Sequence, residues 1–565
     1  MDSKPKYISI FLPILGGVFL VLVGVLIALT YQPLELRHLL ARWTVLALEL
    51  AFVVSLIGVI LNWVSLREEW RTISRLTKRL LAVLFGISFL LVCFVAPRTN
   101  RIYFDEHIYQ NIAQGIAWKG EAYMCNEGNA EFGEYQPFAT EYNKQPIGHA
   151  YYLAIFFRLF GIGESSAHAA NNFAYLLTIG ATFALALFLF QSEVVALLSA
   201  LFVALTPMVI IWSNTTAAEP STIAFSTLAL ASSALFIRRR ETSLLWLAIP
   251  LAGLAVSFRA ESMLLLAPLL LIVLILRPSE ILQPRFSWAG AALLFFVLPS
   301  FLHLYAVRSE PWGSSGERFS FAIFFKNIQV NGPFYFLDER FPLLFTIFAF
   351  IGAVTIGKRW RECIPVLVWF LYSFGIFLFF YAGSYNYGAD VRFSLISAPA
   401  LAILSGLGAA KLFHSRFGER LGRPVAASLI LALIFGWWMR FLPLIRAVGL
   451  EAFHARYDVE YARELSKLVP PDSIVLTHNP SMWLLIGKNA AQTSTAMYNQ
   501  THVDKDFFAR YKGGVFFHWN FWCNVSDPGQ TQFCEKVMRD YPLELVQEYE
   551  MSDYRYALYR MSPRR

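Results

Sequence analysis

Two adjacent carboxylates, Asp105 and Glu106, follow an apolar stretch at residues 80–96 by only a few positions. Neighbouring acids beside a membrane surface repel each other, which raises the pKa of at least one unless a cation or a ligand compensates. The same polar segment supplies Lys144, within the sequence YNKQP at 142–146, just before another apolar stretch. Acidic and basic side chains thus collect at one water–lipid boundary, as chemistry on a lipid-linked anionic substrate requires.

Three more charged residues are predicted on this face of the membrane. Glu219 precedes a proline at the start of an apolar stretch, Arg259 lies between two such stretches, and Arg392 opens another. Each charged position also has a purely local explanation. The coincidence of six charged residues on one face of the membrane nevertheless favours a functional site. The six residues are Asp105, Glu106, Lys144, Glu219, Arg259 and Arg392.

The local explanations remain open alternatives. The acid pair could cap a helix that begins near His107, and Glu219 could be favoured by the dipole of its own helix. Ion pairs with near neighbours could account for the two arginines, and the pairs would be Arg259 with Glu261 and Arg392 with Asp390.

The arrangement suits the transfer of a sugar from a lipid phosphate. Lys144, Arg259 and Arg392 would stabilise the phosphate as the sugar–phosphate bond breaks. Asp105 would take the proton from the incoming hydroxyl as a general base. No nucleotide sugar is expected outside the cytoplasm, so the donor would be a membrane-bound isoprenoid. No cofactor and no divalent metal are predicted, because three cations already suit the phosphate.

Composition identifies a polytopic α-helical membrane protein. The 565 residues are 57% hydrophobic and only 15% charged, with a mean hydropathy of +0.50, too few charges to cover a soluble protein of this size. The net charge of +8 is spread over short basic clusters between apolar stretches, such as 67–79 and 238–240. That distribution follows the positive-inside rule and argues against a nucleic-acid partner.

About thirteen spans are predicted, with a cytoplasmic N-terminus and an external C-terminus. The spans are 7–30, 43–64, 79–97, 167–190, 193–212, 220–237, 243–258, 262–276, 288–307, 341–357, 363–382, 393–413 and 424–446. The first large external loop is 98–150, and the apolar segment 147–159 suits a helix lying at the interface. A second external stretch, 308–341, contains the flexible sequence PWGSSG at 311–316.

From about residue 451 the composition becomes that of a small soluble α/β domain. We predict a helix at 461–468, strands at 473–477 and 514–518, and paired strands at 544–550 and 554–560. Cys523 and Cys534 could form a disulfide in this external segment, and two free thiols are a nearly equal alternative.

Several motifs resemble those of the C-type glycosyltransferases (GT-C fold), in particular the protein O-mannosyltransferases and the lipid A aminoarabinose transferases. The motifs are FDEHIYQNIA at 104–113, YNKQPI at 142–147, LFG at 159–161, and VRFSL at 391–395 with Pro399 shortly after. The resemblance covers roughly residues 80–412. It implies a GT-C-like catalytic domain at 79–446, preceded by extra spans and a basic linker at 1–78 and followed by the domain at 451–565.

The resemblance also implies roles for individual residues. Asp105 would be the base, Glu106 would support it or contact the acceptor, and Glu219 would replace the family's second external acid, which is usually aspartate. Lys144, Arg259 and Arg392 would form the phosphate pocket. Tyr109, Tyr142 and Gln145, in the same motifs, are predicted to contact substrate. Gln145 and Ile147 depart from the family's usual proline and leucine after the lysine.

The prediction is therefore an inverting glycosyltransferase of the plasma (inner) membrane, with its active site and C-terminal domain outside the cytoplasm. Its partners would be the lipid bilayer, a polyprenyl-phosphate sugar and a glycan, lipid or protein acceptor. One alternative is a transporter or flippase of lipid-linked sugars, although the charges lie at one face and no repeat is evident. The other alternative is an oligosaccharide transferase or ligase.

Overall fold

The computed structural model describes residues 6–310, 316–386, 390–415, 422–449 and 453–564. Residues 311–315 of the predicted flexible sequence at 311–316, and the side chain of Asp390, lie outside the described residues. The chain divides into two compact units. The first comprises Met1–Arg98, Lys144–His149 and His168–Val448, and the second comprises Thr99–Asn143, Ala150–Ala167 and Gly449–Arg565.

Helices make up most of the chain up to residue 446. In chain order they are α1 (Lys6–Thr30), α2 (Pro33–Leu61), α3 (Trp63–Thr72), α4 (Arg75–Leu90), α5 (Tyr103–Lys119), α6 (Ile147–Phe160), α7 (Glu164–Phe190), α8 (Glu193–Ala204), α9 (Pro207–Ser213), α10 (Glu219–Arg239), α11 (Leu245–Phe258), α12 (Leu266–Leu276), α13 (Pro284–Ala306), α14 (Phe321–Leu337), α15 (Leu343–Val354), α16 (Trp360–Phe379), α17 (Ala398–Phe413), α18 (Arg423–Trp438) and α19 (Leu442–Arg446).

The prediction of a polytopic helical membrane protein is confirmed, whereas the count of thirteen spans is not. Within the described residues, nine helices are long and apolar enough to cross a membrane, or ten if the bent pair α8–α9 is one span. Three predicted spans, 243–258, 262–276 and 341–357, coincide with apolar helices that are shorter than the others. Helix α14 occupies part of 308–341, which the sequence predicts as an external stretch between spans.

The centre of the first unit is formed by α10 and by the segment that includes α17, since both are almost entirely buried. Close contacts between small residues bring α15 and α17 together. A Cβ atom on Gly352 would overlap the carbonyl oxygen of Leu404, and one on Gly408 would overlap that of Phe348. Small residues allow helix backbones to approach closely where lipid provides no hydrophobic drive for association.

The second unit contains a seven-stranded mixed sheet. Its strands are β1 (Met124–Asn129), β2 (Gln136–Glu141), β3 (Ser473–Thr477), β4 (Asn489–Gln492), β5 (Gly514–Trp519), β6 (Leu543–Met551) and β7 (Tyr554–Met561), in the order β2-β1-β4-β3-β5-β7-β6. Strand β3 is parallel to β4 and β5, and the other pairs are antiparallel. The helices after residue 449 are α20 (Phe453–Ser466), α21 (Pro480–Leu485), α22 (Thr495–Tyr498), α23 (Phe508–Arg510) and α24 (Pro528–Asp540).

The small α/β domain is thus present, and its predicted strands match β3, β5, β6 and β7. The sheet is not built from the C-terminal segment alone, because β1 and β2 come from the region 98–150. Cys523 and Cys534 form a disulfide with Cα atoms 5.7 Å apart. His478 lies beside these two sulfur atoms. Since disulfide sulfurs are not thiolates, this group does not form a metal-type ligand set.

Candidate active site

Three residues predicted from the sequence meet in the first unit. The fully buried carboxylate of Glu219 forms an ion pair with Arg259 through its Oε1 atom. The Nε atom of Arg392 lies 3.3 Å from that same oxygen. Arg259 also forms an ion pair with Glu261, so the local explanation for Arg259 is realised as well. The cluster contains two positive and two negative charges. Its four residues come from three separate segments of the chain.

An aromatic ring lies beneath both guanidinium groups. The ring centre of Phe393 is 5.3 Å from the guanidinium carbon of Arg259 and 5.1 Å from that of Arg392. The ring of Phe393 is stacked on that of Phe377, with centroids 4.2 Å apart. An aromatic face attracts a cation and fixes its plane, which helps to hold two like charges near each other. Sequence reasoning quoted Phe393 within a motif but gave it no role.

Glu219, Arg259 and Arg392 all lie where one helix ends or the next begins. Glu219 begins α10, with Pro220 after it in the first turn, so the carboxylate lies at the positive end of that helix. Arg259 lies between α11 and the 3₁₀ segment Ala260–Leu265, and Arg392 lies in the 3₁₀ segment Asp390–Ser397 before α17. Both arginines are thus placed by backbone that lies outside the regular α-helices.

The segment that carries Lys144 packs against α13 and against α11, the helix that ends just before Arg259. The backbone oxygen of Lys144 is 3.1 Å from Nε2 of His303. A Cβ atom on Gly148 would come within 2.6 Å of the carbonyl oxygen of Ser257, two residues before Arg259. Only glycine therefore allows this approach. Lys144 and Gln145 are half-buried in the same unit as the cluster.

His149 was missed by sequence reasoning. Its imidazole is fully buried, with Nε2 2.9 Å from the carbonyl oxygen of Thr216 and Nδ1 2.8 Å from the hydroxyl of Ser221. These contacts join the Lys144 segment to the residues on either side of Glu219. The sequence signal was weak, since a lone histidine in an apolar helix is as often a packing residue as a functional one.

A small cavity adjoins Arg259 in the first unit. Its walls combine apolar side chains such as Val256, Met263 and Leu304 with a few polar groups. Such a mixture suits an amphiphilic ligand, whose charged end would meet an arginine while its apolar part lies against aliphatic walls. The polar lining residues are Thr44, Ser257, Arg259, Ser300 and His303, and the segment that carries Lys144 contributes Pro146 and Ile147.

The acid pair lies in the second unit. Helix α5 begins at Tyr103, so Asp105 and Glu106 occupy its first turn. Glu106 is fully buried, and its Oε1 atom accepts hydrogen bonds from the backbone N–H groups of Arg101 and Ile102 at 2.8 and 2.9 Å. Glu106 therefore satisfies donors at the start of α5. Asp105 is only half-buried.

The predicted site residues thus divide between the two units. Glu219, Arg259 and Arg392 form one cluster, and Lys144 and Gln145 belong to the same unit. Asp105, Glu106, Tyr109 and Tyr142 belong to the second unit, where both tyrosines are buried.

Comparison with known proteins agrees with this fold. The family model of the dolichyl-phosphate-mannose-protein mannosyltransferases matches residues 144–303, which include Lys144, Glu219 and Arg259. ArnT from Cupriavidus metallidurans in the apo state is 13% identical, with a TM-score of 0.54 over 85% of this chain and 97% of that chain. ArnT bound to undecaprenyl phosphate is 15% identical, with a TM-score of 0.52 over 86% and 97%. No curated protein sequence matches the chain significantly.

The predicted fold is confirmed. The chain is a multi-pass membrane protein with the fold of the C-type glycosyltransferases. The family model of the mannosyltransferases matches only the part of the chain at 144–303, and the likeness to ArnT is one of fold.

Proposed function

We propose that this protein transfers a sugar from a polyprenyl-phosphate donor to an acceptor hydroxyl or amine. The cluster of Glu219, Arg259 and Arg392 beside an amphiphilic cavity is the observation that carries this proposal. Aliphatic side chains line the cavity beside Arg259, and Arg259 offers a guanidinium for the phosphate. ArnT from Cupriavidus metallidurans, which is similar in fold, has a structure bound to undecaprenyl phosphate, and this supports a lipid donor of that class.

The reaction is a single displacement at the anomeric carbon. The acceptor oxygen or nitrogen forms a bond to that carbon while the bond from the carbon to the phosphate oxygen breaks, and the phosphate leaves with the electron pair. Lys144, Arg259 and Arg392 stabilise the charge that develops on the phosphate. Asp105 takes the proton of the acceptor, and the anomeric configuration is inverted.

Glu219 has a supporting role in this proposal. Its carboxylate balances two guanidinium groups that would otherwise repel each other, and its fixed place at the start of α10 holds them in position. A phosphate that binds to the arginines would compete with Glu219 and Glu261 for the N–H groups of the two guanidinium groups. As negative charge develops on the leaving phosphate, we expect the guanidinium groups to bind the phosphate more strongly than the glutamates. No metal ion is required, because the three side-chain cations supply the positive charge.

We propose an external site, because the basic clusters between spans would then face the cytoplasm. No nucleotide sugar is available outside the cytoplasm, which favours a lipid-linked donor. The protein would lie in the plasma (inner) membrane, with the acceptor reaching it from the external side.

The experiment is an assay of the purified protein with a radiolabelled polyprenyl-phosphate sugar and, separately, with the matching nucleotide sugar. The proposal predicts that label leaves the lipid only with the polyprenyl-phosphate donor and that a candidate acceptor becomes labelled. Scrambling of a fluorescent lipid-linked sugar in proteoliposomes is measured in parallel. Scrambling without transfer would overturn the proposal in favour of a flippase, and transfer from the nucleotide sugar would overturn the donor class.

A further inference from the structure

A buried chain of polar side chains lies behind the first turn of α5. The hydroxyl of Tyr103 donates a hydrogen bond to the carboxylate of Asp458 on α20. On its other side, Asp458 faces Nε2 of His518 on β5, with 3.3 Å between that nitrogen and Oδ1. Both Asp458 and His518 are fully buried. The three residues come from distant parts of the sequence but all belong to the second unit.

The contacts of His518 fix the position of its ring proton. The indole nitrogen of Trp483, which can only donate, lies 3.2 Å from Nδ1 of His518. Nδ1 must therefore accept, and the ring proton resides on Nε2, the nitrogen nearer to Asp458. The 3.3 Å contact is an electrostatic contact rather than an aligned hydrogen bond. Asp458 thus faces two proton-bearing partners, the hydroxyl of Tyr103 and the imidazole of His518.

Further contacts hold the same turn of α5 against the C-terminal segment. Nδ1 of His107 is 2.7 Å from the backbone oxygen of Tyr103 and 3.4 Å from the side-chain amide nitrogen of Asn479. The ring of Tyr103 makes edge-to-face contacts with His107 and Phe521, each with centroids 5.7 Å apart. Burial is the largest influence on the imidazole of His107 and lowers its pKa, so a neutral ring is favoured here as well.

A buried carboxylate is a costly way to hold two segments together. Apolar side chains of similar volume usually stabilise an interior as well or better, whereas a charged network defines one geometry. A fixed geometry at Tyr103 would also fix the position of Asp105. Asp105 lies two positions after Tyr103 in the same helical turn, and it is half-buried rather than enclosed.

We propose that Asp458 and His518 are positioning residues that fix Tyr103 and, through it, the helical turn that carries Asp105. This inference rests on the proposed function, in which Asp105 is the general base. The C-terminal segment would then be part of the transfer machinery, because it sets the direction of that carboxylate. Loss of the Tyr103 hydroxyl would allow the turn to shift, and a displacement of about 1 Å can cost on the order of 100-fold in rate.

The test compares Tyr103→Phe and Asp458→Asn with a matched control, Tyr511→Phe. The hydroxyl of Tyr511 is also buried in the second unit and donates to Asn129 at 2.8 Å, so it joins the C-terminal segment to β1 instead of α5. We expect Tyr103→Phe to lower kcat about 10- to 100-fold with less than a twofold change in the donor KM. Tyr511→Phe should keep kcat within twofold. Equal kcat values for the two tyrosine variants would overturn the proposal.

A double mutant separates this inference from the proposed function. If Tyr103 acts only by orienting Asp105, Tyr103→Phe should cause no further loss of kcat in an Asp105→Asn background. A full additional loss there would show that Tyr103 acts independently and would overturn the positioning role. Normal turnover of Asp105→Asn alone would overturn the proposed function itself. Tyr103→Phe removes a single oxygen atom, so the test stands even if Asp458→Asn fails to fold.

Discussion

Arg259 and Glu219, 40 positions apart in the chain, form an ion pair in which the carboxylate is fully buried. Arg259 contacts a second carboxylate, Glu261, through its Nε atom. A guanidinium group presents its donors in a rigid fork and can serve two acceptors at once, whereas a lysine ammonium is a single point charge. The identity of the cation at 259, and not only its charge, therefore determines the geometry of the cluster.

The first prediction concerns this geometry. Arg259→Lys keeps the positive charge but loses the fork, so the phosphate would no longer meet a fixed set of donors. We expect kcat/KM for a polyprenyl-phosphate sugar to fall on the order of 100-fold, measured on the purified protein. Arg308→Lys is the control, because Arg308 is exposed and contacts Tyr305 on its own helix end, through that residue's backbone oxygen and its ring. Equal effects of the two variants would contradict the assigned role.

The second prediction concerns the cavity beside Arg259. Val256 is buried and lines that cavity, so Val256→Phe would fill the cavity and crowd its walls. We expect the KM of the lipid donor to rise about tenfold, since overpacking typically costs about 1–3 kcal/mol. The matched control is Val354→Phe, because Val354 is 67% exposed at the end of α15. An unchanged donor KM in Val256→Phe would show that the lipid binds elsewhere.

The third prediction concerns the approach of the Lys144 segment to α11. In Gly148→Ala the new methyl group would meet the backbone of Ser257, so one of the two segments must move. We expect at least a tenfold loss of kcat/KM and a local cost of about 1–3 kcal/mol. Gly86→Ala provides the control, because nothing lies within 4 Å of a Cβ atom there. Steady-state assays and thermal unfolding of both variants test this directly.

The fourth prediction is a pH dependence of stability in the second unit. His502 has Nε2 3.0 Å from Glu127 and Nδ1 2.6 Å from Asp506. Partial burial acts to lower the pKa of His502, but the hydrogen bonds to Asp506 and Glu127 outweigh it and raise the pKa above 6.5. A raised folded-state pKa stabilises the protein below about pH 6.5, and that contribution is lost as pH rises through the folded value.

The measurement is the unfolding temperature of the sheet-containing unit as a function of pH. In the unmodified protein it should fall as pH rises from about 6.5 through the raised pKa of His502. In His502→Gln this component should be absent, while His414→Gln, a change at an exposed histidine of the first unit, should retain it. Identical pH profiles for all three proteins would contradict the prediction.

The fifth prediction concerns the disulfide between Cys523 and Cys534. The bond closes a loop with a sequence separation of 11 residues, so its loss should cost about 2–3 kcal/mol through the entropy of the unfolded chain. We expect a lower unfolding temperature in the Cys523→Ser, Cys534→Ser double variant and, after treatment with a reductant, in the unmodified protein. Reductant should not lower the unfolding temperature of the double variant any further.

The membrane helices and the charged residues of the cluster could be predicted because both are visible in short stretches of sequence. Apolar stretches mark the helices, and Glu219, Arg259 and Arg392 stand at the ends of such stretches, where a charge is least costly. Their convergence on one oxygen atom could not be predicted, since it depends on how α10, α11 and the segment before α17 pack. The same applies to His149 and to the cation–ring contacts of Phe393.

Strands β1 and β2 show a second limit of sequence reasoning. Glu127 pairs with Ala491, and Gly128 pairs with Ala490, across more than 350 positions of chain. Such long-range pairing leaves no local pattern, so residues 124–141 gave no sign of their place in the sheet. The function of Glu106 was similarly ambiguous. The structure shows it accepting hydrogen bonds from two backbone N–H groups at the start of α5, which is close to the capping alternative.

The central claim is that the carboxylate of Asp105 takes the acceptor's proton while cations hold the phosphate. Its most direct test is a single-turnover measurement on purified Asp105→Asn with saturating radiolabelled polyprenyl-phosphate sugar, alongside Glu134→Gln as an exposed control in the same unit. We predict that the transfer rate of Asp105→Asn falls by at least about 100-fold with donor affinity unchanged, while Glu134→Gln transfers normally. A transfer rate in Asp105→Asn close to that of the unmodified protein would contradict the account.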